Sequence, residues 1–151
     1  MKILGVRCSS QKTRYALVDW DGEEATLLNA DTESRLMYPT GMDDPDEQVG
    51  WLYQEMERIF HDHKDIDKVV MKVSEYGLRE KKANRNSSYA EAIVLLASKK
   101  ASQEVTVKTY ASLSTRSADV RDHAESRVGK TNRYWDTQMA DAVVAAWSGR
   151  E

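Results

Sequence analysis

Cysteine is almost absent: Cys8 is the only one in 151 residues. An internal disulfide and a cysteine pair for a metal are both excluded, and a reducing compartment is implied. Two prolines and seven glycines, with no repeat, exclude fibrous and low-complexity architectures. Long hydrophobic runs are lacking too. The opening Ile3-Leu4-Gly5-Val6 is too short for a signal peptide or a membrane span, so no membrane partner is expected and the expected location is cytoplasmic. Nor is there an excess of positive charge. The 22 basic and 25 acidic residues give a net charge of −3, without the bulk positive field of an avid nucleic-acid binder.

What is present suffices for a core: 40% of the residues are hydrophobic, and the length suits one domain, expected to span residues 1–151. The charge is unevenly placed. Residues 1–67 hold 15 acids and 7 bases, net −8, whereas residues 68–151 hold 10 acids and 15 bases, net +5. A polyanion would prefer the second half.

Three strands open the chain: Lys2–Arg7, Tyr15–Trp20 and, after the turn residues Asp21-Gly22, Ala25–Asn29. They predict an antiparallel meander with a first turn near residues 9–12. Asp44, Pro45 and Glu47 signal a helix start with a capping box. Val49, Leu52, Tyr53, Met56, Ile59 and Phe60 then mark one apolar face. His61 and His63 close that helix, where imidazolium complements the helix dipole; no third ligand at metal spacing accompanies them. Lys68–Ser74 is the fourth strand, ending at Glu75-Tyr76-Gly77. After a basic loop, Ser88 to Glu91 reads as a second capping box, opening a helix that ends at Lys99-Lys100. Val105–Thr109 is the fifth strand, and the helical crossovers favour parallel pairing. A short helix is expected within 114–127 and a last one from about Asp136 to Trp147. The expected fold is α/β: a mixed five-stranded sheet, three antiparallel strands and then parallel ones, flanked by helices.

The last helix carries the sharpest anomaly. Met139 to Trp147 is apolar on every side except for Asp141. An ionised carboxylate there needs a cation or several donors, because desolvation otherwise neutralises it. Glu75 is the second candidate. It stands at the carboxyl end of an interior strand, where ligands gather in open sheets with helical crossovers.

The order of elements, the opening Ile3-Leu4-Gly5-Val6, Glu75 closing the fourth strand and the segment Met139-Ala140-Asp141-Ala142 together resemble the ribonuclease H-like superfamily, most closely the RuvC family of Holliday-junction resolvases. The resemblance implies a ribonuclease H-like fold. It also implies phosphodiester cleavage by two divalent ions, Mg²⁺ or Mn²⁺, held by carboxylates from the first strand, the fourth strand and the last helix. Family members act as dimers, and Met42, Trp51 and Tyr53 are candidates for a comparable interface. The sequence departs from the family at two of its acids. Arg7 stands where the family has its first catalytic Asp, and Gln138 stands three residues before Asp141 where RuvC has a further acid. Asp19 and Asp21 do not replace them, since Asp19 lies about 13 Å along the neighbouring strand at roughly 3.3 Å per residue. Asp136, five residues before Asp141, is off the same helical face.

Arg7 is therefore expected to sit where the family's metal sits, offering donors to both Glu75 and Asp141, so that a side-chain cation replaces the ion and no metal is needed. If the site is active instead, Glu75, Asp141 and Asp136 are the catalytic candidates, Glu75 and Asp141 the metal ligands, and Mg²⁺ or Mn²⁺ the cofactor. Arg79, Lys81, Lys82 and Arg85, with Arg121, Lys130 and Arg133 beside Tyr134-Trp135, are the candidate nucleic-acid contacts. Three functions compete. The first is a degenerate RuvC-like module binding DNA or a protein partner in DNA processing, the second an active metal-dependent endonuclease. The third is a sugar-kinase or actin-like phosphate binder, disfavoured because Cys8-Ser9-Ser10-Gln11 lacks glycine.

Overall fold

The first strand, β1 (Lys2–Cys8), is the centre of the sheet: it pairs antiparallel with β2 (Lys12–Trp20) and parallel with β5 (Lys68–Lys72). The structure is a computed structural model that describes residues 1–77 and 80–151. The β1–β2 hairpin closes through the Ser9 amide on the Lys12 carbonyl at 2.8 Å. That bond uses an amide which a phosphate-binding turn would need. Beyond β2 lie β3 (Ala25–Leu27) and β4 (Arg35–Met37), and on the other side β6 (Glu104–Lys108) runs parallel to β5. The strand order is β3-β2-β1-β5-β6, with β4 also on β2. The mixed α/β sheet expected from the sequence is present, and β4 is a sixth strand that three residues, two of them Arg35 and Met37, did not announce.

Helices cover both faces. On one, α1 (Pro45–Asp62) and α2 (Lys82–Lys100) bury Leu52, Met56, Ile59, Ala90 and Val94 against Leu4, Val6, Leu17, Val69 and Met71. On the other, α5 (Thr137–Ser148) lies against Ile3, Ala16, Val18 and Val70 and is flanked by α4 (Val120–Arg127). Met139 through Ala146 are all buried, as so apolar a helix demands. A single turn, α3 (Tyr110–Leu113), follows β6.

Two capping boxes are corrected. Asp44 does precede α1, but its side chain caps nothing. The second helix starts at Lys82, six residues before Ser88, and the Ser87 and Ser88 hydroxyls donate back to Ala83 and Asn84 carbonyls inside it. Glu91 is free to do something else: its Oε2 accepts the Ser74 amide at 2.9 Å, which ties α2 to the end of β5. Lys82 and Arg85 accordingly lie on a helix and not in a loop.

Candidate functional site

Alternation along β1 turns Ile3, Gly5 and Arg7 toward α5. Gly5 sets the spacing. A Cβ there would lie 2.7 Å from the Ala146 nitrogen, 2.8 Å from its Cβ and nearer still to the Ala142 carbonyl oxygen, so only glycine lets the α5 backbone rest on the strand. The close approach brings Asp141, fully buried, beside Arg7. The Arg7 Nε donates to Asp141 Oδ2 at 3.0 Å, and the Tyr110 hydroxyl donates to Oδ1 at 2.7 Å. Burial pushes the Asp141 carboxyl above the usual range, while the Tyr110 hydroxyl and Arg7 pull it down.

Glu75 behaves differently from expectation. The strand β5 stops at Lys72, so Glu75 is three residues beyond it, and Arg7 makes no hydrogen bond to it. Arg7 Nη1 goes instead to the Cys8 carbonyl at 2.5 Å and approaches Ser74 Oγ at 3.5 Å. Glu75 Oε1 accepts the Tyr110 amide at 2.7 Å and lies 3.0 Å from Lys72 Nζ. These two partners, the amide first, hold its carboxyl below the ordinary value. Lys72 is fully buried, donates to the Val73 carbonyl at 2.6 Å and sits 3.9 Å from the centroid of the Tyr110 ring. Tyr110 thus touches both acids, one through its amide and one through its hydroxyl.

Asp136 is engaged at the start of α5. It is the N-cap of α5, accepting the Met139 amide at 2.7 Å, and its other oxygen takes the Arg14 Nη2 at 2.8 Å. Arg14 Nη1 also donates to Gln138 Oε1 at 2.6 Å.

Strand register turns these cations into one row. Arg35 is opposite Arg14, Arg14 opposite Arg7, Arg7 beside Lys72 and Lys72 beside Lys108. Like charges so placed repel, and three acids from outside the sheet offset them: Asp136 on Arg14, Asp141 on Arg7, Glu75 on Lys72. Among the described residues, Arg35 and Lys108, at the two ends, have no carboxylate partner, and the Arg35 guanidinium is stacked 3.6 Å from the Tyr134 ring centroid. Sequence reasoning missed Lys72, Arg14 and Arg35. The signal was available in the hairpin, because a turn centred on residues 10 and 11 places residue 14 across from residue 7.

The donor set does not fit a pair of divalent ions. Glu75 and Asp141 each face a fixed cation, and among the described residues no group of three or more His, Cys, Asp or Glu is arranged to hold a metal. Between β1, the residues after β5 and α2 opens a groove of about 750 Å³ whose lining includes Arg7, Ser9, Ser74, Glu75, Ser87 and Glu91.

Of the candidate nucleic-acid contacts, Arg79 lies outside the described residues. Lys81 and Lys82 are exposed at the start of α2, and Arg85 is paired with Glu80 at 2.8 Å. Arg121, Lys130 and Arg133 are exposed but do not line the groove. Of the interface candidates, Trp51 packs edge-on against Tyr38 with centroids 5.6 Å apart, and Tyr53 is half-buried on the α1 side of the core. The larger exposed apolar residues on that side are Tyr89, Leu95 and Leu96 of α2. Among the described residues no helix is long and apolar enough to cross a membrane.

No protein-family model matches the sequence, and no curated protein matches it. Solved structures do match the fold. RuvC of Thermus thermophilus in complex with Holliday junction substrate superposes with a TM-score of 0.76 at 17% identity, over 97% of this chain and 90% of that one. A second Thermus thermophilus RuvC structure gives 0.76 at 16% identity, over 97% and 91%. The yeast mitochondrial Holliday junction resolvase Ydc2 gives 0.64 at 13% identity, over 95% and 75%.

Proposed function

We propose that this chain, which has a RuvC-like, ribonuclease H-type nuclease fold, is a catalytically degenerate member of that architecture, a single-domain module that binds nucleic acid, DNA above all, without cutting it. The observation that carries the reading is the ion pair between Arg7 and the fully buried Asp141. A guanidinium cannot be deprotonated, so it balances the carboxylate permanently and repels a divalent cation. Lys72 faces Glu75 at 3.0 Å as its cation. Cleavage by Glu75, Asp141 and a supplementary Asp136 is disfavoured because Asp136 is committed to the helix cap and to Arg14.

The nucleic acid enters along the cationic second half of the chain, with Lys81, Lys82 and Arg133 among the exposed contacts and Arg79, Arg85, Arg121 and Lys130 completing the set. A homodimer or another protein partner belongs to the same reading and fits the exposed apolar residues of α2. So does a cytoplasmic, reducing location, given one buried free thiol.

The test pairs wild type with Arg7→Asp on branched and linear DNA with Mg²⁺ or Mn²⁺, alongside calorimetric titration of each ion. The expected result for wild type is DNA binding that persists in EDTA, no cleavage and no two-ion binding. Cleavage by wild type that Glu75→Gln abolishes would overturn the proposal in favour of an active endonuclease.

A further inference from the structure

Tyr134 combines three features that its fold position does not require. Its φ is +59°, in the left-handed region where a side chain is disfavoured. Its residue surface is 50% exposed although it is a large aromatic. One cation holds its ring: the Arg35 guanidinium lies 3.6 Å from the ring centroid, and Arg133 follows at 5.9 Å. Arg35 is itself held in place by β4, directly opposite Arg14, whose guanidinium grips the start of α5 only two residues after Tyr134. Ring, cation and helix start therefore lie together at the end of the cationic row. Strained residues that a surrounding structure holds in place concentrate at functional sites.

We infer that Tyr134, pinned by Arg35, is a stacking platform for one unpaired base of a nucleic-acid strand, with Arg133 and the end of the cationic row receiving the adjoining phosphates. The inference rests on the nucleic-acid-binding reading above and assigns it a contact. Stacking suits an aromatic ring that is half-exposed with cations beside it, and it is open to any base because every base has a π-face. Bases inside a duplex have both faces covered, so the platform discriminates unpaired from paired strands.

The experiment is fluorescence anisotropy of wild type, Tyr134→Gly, Tyr134→Phe and Arg133→Gln with a short labelled single-stranded DNA and with a duplex of the same length, each over a salt series. Wild type should prefer the single strand. Tyr134→Gly should weaken single-strand binding roughly 5- to 150-fold, the range for one base on one ring. It should leave duplex binding and the slope of log K against log[salt] unchanged, because no phosphate contact is lost. Tyr134→Phe should bind like wild type, whereas Arg133→Gln should lower the salt slope by about one. Thermal unfolding separates function from fold: glycine relieves the left-handed strain while losing the Arg35 stack, so Tm should move by no more than roughly 3 °C. Equal affinity of wild type for both DNAs, or unchanged single-strand affinity in Tyr134→Gly, overturns the platform and leaves the nucleic-acid reading intact. Absence of any binding by wild type overturns both.

Discussion

Arg7→Met gives the most direct measure of the central ion pair. Methionine matches the length of the arginine stem but offers no donor, so Asp141, with no solvent exposure, keeps only the Tyr110 hydroxyl at 2.7 Å and a distant Lys72. Removing one partner of a buried pair costs about 3–5 kcal/mol. For a chain of this size each kcal/mol shifts Tm by roughly 2–4 °C, which predicts a fall of about 6–20 °C by calorimetry in EDTA. Asp141→Asn should cost less, because Arg7 lines the open groove and can reach water. The double variant should lose less than the sum, with a coupling of about 2–3 kcal/mol. The pH dependence has a definite sign. Stranding the carboxylate raises its folded-state pKa further above the unfolded value of about 3.9. The stability linked to it is present below that value and is lost as pH rises through the folded pKa, so the deficit of Arg7→Met must be larger at pH 8 than at pH 5. A Tm within about 2 °C of wild type, independent of pH, would refute the reasoning.

Three other outcomes follow from the same geometry. Gly5→Ala drives a methyl group into the α5 backbone at Ala142 and Ala146 and should cost about 3 kcal/mol or more in urea unfolding. Glu75→Ala strands the buried Lys72 and should cost about 1–3 kcal/mol, whereas Lys72→Met leaves Glu75 half in water and should be close to neutral; the same urea titration reads both. His123 has a buried Nε2 without a hydrogen-bond partner. Burial first, then Arg127 and Arg150, lower its pKa below the unfolded value of about 6.5. Stability should therefore be full above pH 6.5 and decline as pH falls through the folded pKa, and His123→Phe should flatten that decline in a Tm series from pH 8 to 5.

Much of the frame was legible because local signals were strong. Met139 to Ala146 reads as a helix buried on most faces, and an ionised acid inside it needs a cation or several donors; Arg7 supplies the cation at 3.0 Å. The hairpin turn excluded Asp19, which pairs with Lys2 at the far end. The rest depended on tertiary context. Lys72 follows Val-Val-Met and reads as a strand-end surface residue; the Tyr110 ring and Glu75, 38 and 3 residues away in sequence, are what make burial of its ammonium tolerable. The strand β4 is three residues long and exists because β2 offers it an edge. The start of α2 runs through Lys82-Ala83-Asn84-Arg85-Asn86, a stretch with poor intrinsic capping signals, and Ser88 to Glu91 is the stronger local pattern that tertiary packing overrides.

Arg14, Arg7 and Lys72 are matched one to one by Asp136, Asp141 and Glu75. Removing Arg7 or Glu75 by itself strands a buried partner, Asp141 or Lys72, and the remaining members are already committed elsewhere. A passage by single substitutions toward a site that grips inorganic ions is therefore obstructed wherever its first step removes Arg7 or Glu75, because that step strands a buried charge and weakens the fold.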